Sequence, residues 1–298
     1  MLAIVIPYCK LTFFEATLRS LASQTDQRFK VYIGDDASWE DPSDLLAKYR
    51  GKFYFVYHRF EENLGGVSLV KQWDRCIALS GNEEWIMILG DDDYLDKNFI
   101  ASWYKHYYSF SNDSNVIRFA TKIVNELSVV ISNTFLHPEF ETAGDSWYRK
   151  FKGQTRGSLS EYVFSKEPYR QFGFKNYPLA WHSDDRAWLD FSSGKSIYTI
   201  NESIVHIRVS NISISGKQDN KDLKYLATLQ FLKDLIFEKN HFFNKKQRLD
   251  LLLKYEVIIK RKLTLKEWGV MFLFYLKNFS VMPFFKFVRR FVINMFKL

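Results

Sequence analysis

Strand-like and helix-like stretches alternate along the first half of the chain. The run AIVIPY (3–8) is short, β-branched and apolar, which predicts a buried strand. Thr12-Phe13-Phe14-Glu15 has the spacing of a capping box, and Leu18, Leu21 and Ala22 follow at helical intervals. FKVYIGDD (29–36), FYFVYH (53–58) and EWIMILGDDD (84–93) predict three more strands, with a helix over 69–79 before the last. This alternation predicts an α/β fold with a mainly parallel sheet. Ligands of such sheets bind beyond the carboxyl ends of the strands, and both acidic clusters, Asp35-Asp36 and Asp91-Asp92-Asp93, fall at such ends.

The second half is mixed. VIRFATKIV (116–124), IYTIN (197–201) and SIVHIRVS (203–210) predict strands. Residues 137–158 are polar and contain glycine, which predicts a loop, whereas 222–266 predict helix throughout. No internal repeat is present. The expected organisation is one α/β domain over 1–215 and a helical region over 216–298.

Composition narrows the function classes. Two cysteines, Cys9 and Cys76, exclude a cysteine-rich zinc module or disulfide scaffold and fit a reducing compartment. The opening apolar run is too short for a secretory leader, and no uncharged apolar run reaches spanning length. Residues 239–298 hold 14 Lys/Arg against three Asp/Glu, so the net charge of +8 sits in the tail and the remainder is slightly acidic. That body repels phosphate backbones, which argues against nucleic acid as the partner. Residues 268–298 carry five basic residues and no acid. Lys286, Arg290 and Lys297 share one predicted helix face, Arg289 lies beside them, and Phe and Val positions cover most of the rest. This pattern predicts an interfacial helix on an anionic membrane. Lys277 and Pro283 interrupt any spanning segment.

Three clusters carry candidate chemistry. Asp91-Asp92-Asp93 places three like charges side by side, which a cation or hydrogen bonds must offset. Hard oxygen donors of this kind suit Mg²⁺ or Mn²⁺ shared with substrate phosphates. Asp35-Asp36 can accept hydrogen bonds from a nucleobase or ribose, or can simply cap a turn. Asp184 and Asp185, flanked by Trp181-His182 and by AWLDF (187–191), can supply a general base or start a helix.

The order of these pieces resembles family 2 glycosyltransferases of the GT-A fold. The resemblance runs through IVIPYC (4–9), TLRSLASQ (17–24), VYIGDDAS (31–38), Asn63-Leu64-Gly65, ILGDDDYLD (88–96) in the place of a DxD motif, SDDRAWLDF (183–191) and HIRVSNISIS (206–215). It implies that Pro7 and Tyr8 line a nucleotide pocket, that Asp36 with Asp35 binds uracil or its ribose, and that Arg208 binds donor phosphate. It also implies Asp92 as the main ligand of Mn²⁺ or Mg²⁺, with Asp93 near the metal or sugar and Asp91 near the ribose or sugar. Asp185 would be the base and Asp184 its support, with Trp181 and His182 toward the acceptor; Trp147, Tyr148 and Trp188 are further candidates to stack on sugars. Three departures stand out. Gly90 occupies the usual first Asp of DxD, Asp184 replaces a Glu, and His206 precedes Arg208 instead of following it.

The implied activity is inverting transfer of a hexose or N-acetylhexosamine from a UDP-sugar to a polyprenyl-diphosphate-linked saccharide. Such an enzyme would sit on the cytoplasmic face of a bacterial membrane and serve surface-polysaccharide synthesis, O-antigen or capsule. A nucleotidyltransferase would carry a Gly-rich basic loop after its first strand, and Tyr8-Cys9-Lys10-Leu11 contains no glycine. A non-enzymatic basic binding protein would leave the acidic clusters unexplained.

Overall fold

A computed structural model describes residues 1–211, 213, 216, 220–259, 265–277 and 281–296. Two compact units are present, Met1–Ala227 and Thr228–Leu298, so the division falls inside a helix and later than residue 215.

The first unit is built on β1 (Leu2–Tyr8), α1 (Phe14–Ala22), β2 (Phe29–Asp35), α2 (Ser43–Ala47), β3 (Phe55–Arg59), α3 (Leu69–Ala78) and β4 (Trp85–Ile88). After these come β5 (Tyr94–Leu95), α4 (Phe99–Phe110), β6 (Val116–Val124), β7 (Phe140–Glu141), α5 (Ala143–Phe151), β8 (Tyr162–Ser165), α6 (Lys166–Phe172), α7 (Ser183–Ser192) and β9 (Ile197–Arg208). Among the described residues nine strands form one sheet in the order β3-β2-β1-β4-β8-β6-β9-β5, with β7 on β9. β3, β2, β1 and β4 run parallel, so their carboxyl ends share one edge. β8 runs antiparallel to β4, which brings its first residue, Tyr162, to that same edge. β1 is buried along nearly its whole length, as expected of a strand covered on both faces.

Several elements depart from the sequence expectation. α1 starts at Phe14 with Phe13 before it and no side-chain cap, so Thr12 and Glu15 do not form a capping box. The two expected strands over 197–201 and 203–210 merge into one, β9, which ends at Arg208; its pairing with β6 shifts register after Phe119 and leaves Asn201, Glu202 and Ser203 unpaired. The expected loop 137–158 contains β7 and α5; Thr142 caps α5 by accepting the Asp145 N–H. α4 buries Phe99, Ile100, Trp103 and Phe110, and Trp103 packs between Trp85 and Phe110.

α8 (Lys221–Phe237) crosses the division, and the second unit continues with α9 (Lys245–Ile259), α10 (Leu265–Lys277) and α11 (Val281–Phe296). The predicted continuous helix over 222–266 is broken before α9. There Asn244 and Gln247 exchange reciprocal backbone-to-side-chain hydrogen bonds, a capping box in amide form. Residues 260–264 and the predicted face residue Lys297 lie outside the described residues, as does part of the Ser-rich turn, 212, 214 and 215.

Candidate active site

The parallel register sets Tyr8 beside Asp35 and Asp35 beside Arg59 at the carboxyl edge. Asp35 accepts from the Ser38 N–H (2.8 Å), the Tyr57 hydroxyl (2.6 Å) and Arg59 Nη1 (2.8 Å). Asp36 accepts from the Leu64 N–H (2.8 Å), the Gly65 N–H (2.9 Å) and the Arg75 guanidinium. These carboxylates, both buried, therefore brace the loops around the edge rather than reaching out as the expected nucleotide contacts. Tyr8 is fully buried, packs on Phe14 and donates its hydroxyl to the Glu40 carbonyl (2.7 Å). Its expected place in a pocket wall is thus corrected: the side chain is core, and its backbone carbonyl accepts the Asp36 N–H. Pro7, half-buried, precedes it.

Gly65 explains itself here. A Cβ on it would lie 2.5 Å from Asp36 Oδ2, the oxygen that accepts the Gly65 N–H. Gly65→Ala is expected to destabilise the fold by about 1–3 kcal/mol, the range for overpacking. Denaturant unfolding checks this; an unchanged midpoint would show that Asp36 can move aside.

The Asp91–Asp93 segment divides its labour. Asp91 Oδ2 accepts the Cys9 and Lys10 N–H groups (2.7 and 2.9 Å), tying β4 to the loop after β1. Thr17 on α1 donates its hydroxyl to the Asp93 carbonyl (2.7 Å), fixing the turn. Asp93 Oδ1 accepts the Arg208 N–H (2.8 Å). A Cβ on Gly90 would fall 2.9 Å from Asp92 Oδ1 and 3.1 Å from Asp93 Oδ2. The missing side chain therefore leaves a space that two carboxylate oxygens face, at the position where the resembling motif carries an acid. Burial and the Asp91 charge raise the Asp92 carboxyl to about 6; burial and the Asp92 charge raise that of Asp93 to about 7.

Two hard oxygens whose repulsion is only partly relieved by these hydrogen bonds fit Mg²⁺ or Mn²⁺, whose remaining shell water and phosphate would fill. Among the described residues no group of three or more His, Cys, Asp or Glu forms a protein-only cage, consistent with Asp91 turning away to the β1 loop. Protons and the cation compete for these oxygens. Without the cation, the raised carboxyls favour the folded state at low pH, and this contribution is lost as pH rises through about 6–7. Mn²⁺ is therefore expected to raise Tm at about pH 8 and to have little effect at about pH 5. Equal shifts at both pH values would contradict the assignment.

Arg208 has another task than the phosphate contact expected of it. Nε donates to the Asp92 carbonyl (3.0 Å), Nη1 to the Asn125 and Glu126 carbonyls (2.7 and 3.1 Å) and Nη2 to Ser128 Oγ (3.0 Å). With its cation over the Phe13 ring and only 3% of the residue exposed, it staples the Asp92 backbone to the turn after β6. His206, whose ring stacks on Tyr94, is bonded to Asp96.

The second acid pair opens α7. Leu179, Ala180 and His182 all have left-handed backbone (φ 59°, 52° and 72°), a conformation that strains non-glycine residues and collects at functional sites. His182 is the cap residue before the helix, and Asp184 and Asp185 lie in its first turn. Asp185 is buried, with Oδ1 2.6 Å from Lys150 Nζ of α5 and Oδ2 2.8 Å from His182 Nδ1. Burial alone would raise the Asp185 carboxyl, but the Lys150 charge and the His182 contact outweigh it and hold the group far below the usual range. Half-buried Asp184 is pushed the other way, to about 6, by burial and by the Asp185 charge.

Both acid pairs meet β8. Ser160, just before it, accepts the Gly90 N–H (3.0 Å) and bonds the Asp93 carboxylate. Arg156, paired with Glu161 (2.9 Å), lines a small cavity together with Lys150, Tyr162, Trp188 and Asp185, and its charge also acts on Asp93. Trp188 stacks on Tyr162 (4.3 Å) and Trp147 is buried against Phe151, so both are core rather than sugar platforms. Trp181 is half-buried, with Lys224 Nζ 4.8 Å from its ring centre. Sequence reading missed Lys150, 35 residues from its partner, and Ser160, though Ser158 and Glu161 have readable capping-box spacing. It also passed over Trp39, fully exposed on the loop after Asp36.

A parallel sheet with acids at its carboxyl edge, continued by antiparallel β8 and a helix that opens on two acids, is the GT-A fold of glycosyltransferases. The model of glycosyl transferase family 2 matches residues 3–174, more than half of the chain, and the chain belongs to that family. Solved structures of similar fold include S. aureus TarS 1-349 in complex with UDP-GlcNAc (TM-score 0.66, 14% identity, 93% of this chain and 80% of that one). The same fragment in complex with UDP gives a TM-score of 0.62 at 14% identity, over 94% and 81% of the two chains. A longer S. aureus TarS chain aligns over 95% of this chain and 50% of its own length, with a TM-score of 0.63 and 14% identity. At that identity the likeness is one of fold. No curated protein matches the sequence.

Proposed function

We propose that the protein transfers a hexose or N-acetylhexosamine from a UDP-sugar, with inversion, to a hydroxyl of a polyprenyl-diphosphate-linked saccharide, in the synthesis of a bacterial surface polysaccharide. The observation that carries this reading is the pair of Asp92 and Asp93 oxygens facing Gly90, with Arg156, whose charge acts on Asp93, lining the same small cavity as Asp185 of α7. UDP as the nucleotide is supported by the fold neighbour crystallised with UDP and UDP-GlcNAc. The acceptor and its site on a cytoplasmic membrane face rest on the family resemblance and the basic tail.

Bound at Asp92 and Asp93, Mg²⁺ or Mn²⁺ would supply a Lewis acid for the leaving diphosphate. Asp35 and Asp36 hold the loops that flank the nucleotide. Asp184 takes the proton of the acceptor hydroxyl as that oxygen bonds to the anomeric carbon and the bond to the diphosphate oxygen breaks. This replaces Asp185 as the base, because a carboxylate clamped by Lys150 and His182 is a poor proton acceptor, whereas one near 6 is well matched. Asp185 then orients the start of α7. The test is a panel of UDP-sugars, UDP-GlcNAc first, with a polyprenyl-diphosphate saccharide acceptor and anomer analysis of the product. A β-linked product from an α-linked donor supports the reading; retained configuration or donor hydrolysis alone contradicts it.

A further inference from the structure

We infer that the docking surface for an anionic bilayer is a two-helix face on the hairpin of α10 and α11, rather than the single basic helix stripe that the sequence suggests. Ring contacts pair Trp268 with Phe291, Tyr275 with Phe287 and Phe272 with Phe284, so the two helices run antiparallel. Trp268 and Phe287 are buried. Arg290 turns inward as well, donating Nε and Nη2 to the buried Glu256 of α9 at 2.7 and 2.9 Å. It therefore leaves the basic face on which the spacing with Lys286 had placed it.

What remains outside is apolar. Leu273 and Leu276 on α10 and Met282, Phe285 and Val292 on α11 are exposed, Met282 at 64% and Phe285 at 61%. On α11 these positions fall three and seven residues apart, one stripe of a helix. Exposed Lys286 and Arg289 lie on the same side. The one acid of 265–298, Glu267, is taken by Lys233 (3.2 Å) and the Tyr255 hydroxyl. An apolar stripe whose exposed charged neighbours on α11, among the described residues, are cations is complementary to an anionic leaflet, with the helices lying in the interface. No described helix is long and apolar enough to cross a membrane.

The surface names a partner for the C-terminal unit, and its test involves neither donor nor acceptor, so it succeeds or fails independently of the transferase reading. The full chain is sedimented with phosphatidylglycerol-containing vesicles and with pure phosphatidylcholine vesicles. Wild type is expected to pellet with the former. Lys286→Gln with Arg289→Gln is expected to weaken that binding roughly thirtyfold, given the contribution of each cation near a charged surface. Leu273→Asp with Phe285→Asp is expected to abolish it, with circular dichroism unchanged. Wild type that stays in the supernatant overturns the inference. So does an apolar variant that pellets like wild type, or one whose only change is dissociation of a dimer in sedimentation velocity, which would make a second copy the occupant.

Discussion

Replacing Asp92 with asparagine is expected to lower kcat/KM roughly a thousandfold. Several kcal/mol of transition-state charge stabilisation are typical of a bound divalent cation, and about 1.4 kcal/mol corresponds to each tenfold. Of the three adjacent acids, this one carries the largest predicted effect for a geometric reason. Asp91 is committed to the Cys9 and Lys10 N–H groups, and Asp93 Oδ1 to the Arg208 N–H. Asp92 is half-buried, and its Oδ1 faces Gly90. Its loss is expected to leave the fold intact, since its backbone carbonyl, not its carboxylate, receives Arg208. Steady-state kinetics across Mn²⁺ concentrations, with circular dichroism as the fold control, check both halves. Near-wild-type turnover would remove the cation from Asp92.

The second large effect separates Asp184 from Asp185. Asp184→Asn is expected to lower kcat by about a hundredfold to ten-thousandfold, the usual contribution of a general base, while leaving UDP affinity unchanged. At saturating Mn²⁺, which offsets protonation of Asp92 and Asp93 in the same range, wild-type activity is expected to fall as pH drops through about 6, where the Asp184 carboxyl becomes protonated. The groups that set this limb are Asp185, Lys150 and His182. Lys150→Met removes a cation that favours the ionised form of Asp184, and with Asp185 still held by His182 the acidic limb is expected to move to higher pH. Asp185→Asn removes the neighbouring charge that raises the Asp184 carboxyl, so the acidic limb is expected to move to lower pH, with some loss of stability. If instead Asp185→Asn abolishes transfer with the fold intact while Asp184→Asn keeps turnover and the acidic limb, the base is Asp185.

The legible parts of this molecule are those whose causes are local. β1, β2 and β4 announce themselves as apolar runs ending in acids or turn residues, and α3 shows its apolar period behind Ser68, whose hydroxyl accepts the Lys71 N–H. The positions of Asp35, Asp36 and Asp91–Asp93 follow from those strand ends. What each acid does was hidden, because its partners lie far away in the chain. Asp35 needs Tyr57 and Arg59, Asp36 needs Gly65 and Arg75, and Asp185 needs Lys150. Arg208 looked like a free cation for phosphate until the turn at Asn125–Ser128 claimed it. α5 was obscured for a different reason. Its segment is polar and contains Gly144, and its cap, Thr142, precedes an Asp instead of the more familiar Glu at the same spacing. The left-handed turn at His182 is fixed by tertiary packing and leaves no signature in composition.

The most direct test of the account is calorimetric titration of the protein with UDP, with and without Mn²⁺. The account predicts binding that depends on Mn²⁺ and is lost in Asp92→Asn. No binding of UDP in the presence of Mn²⁺, or equal binding without it, would contradict a cation-assisted nucleotide site at Asp92 and Asp93.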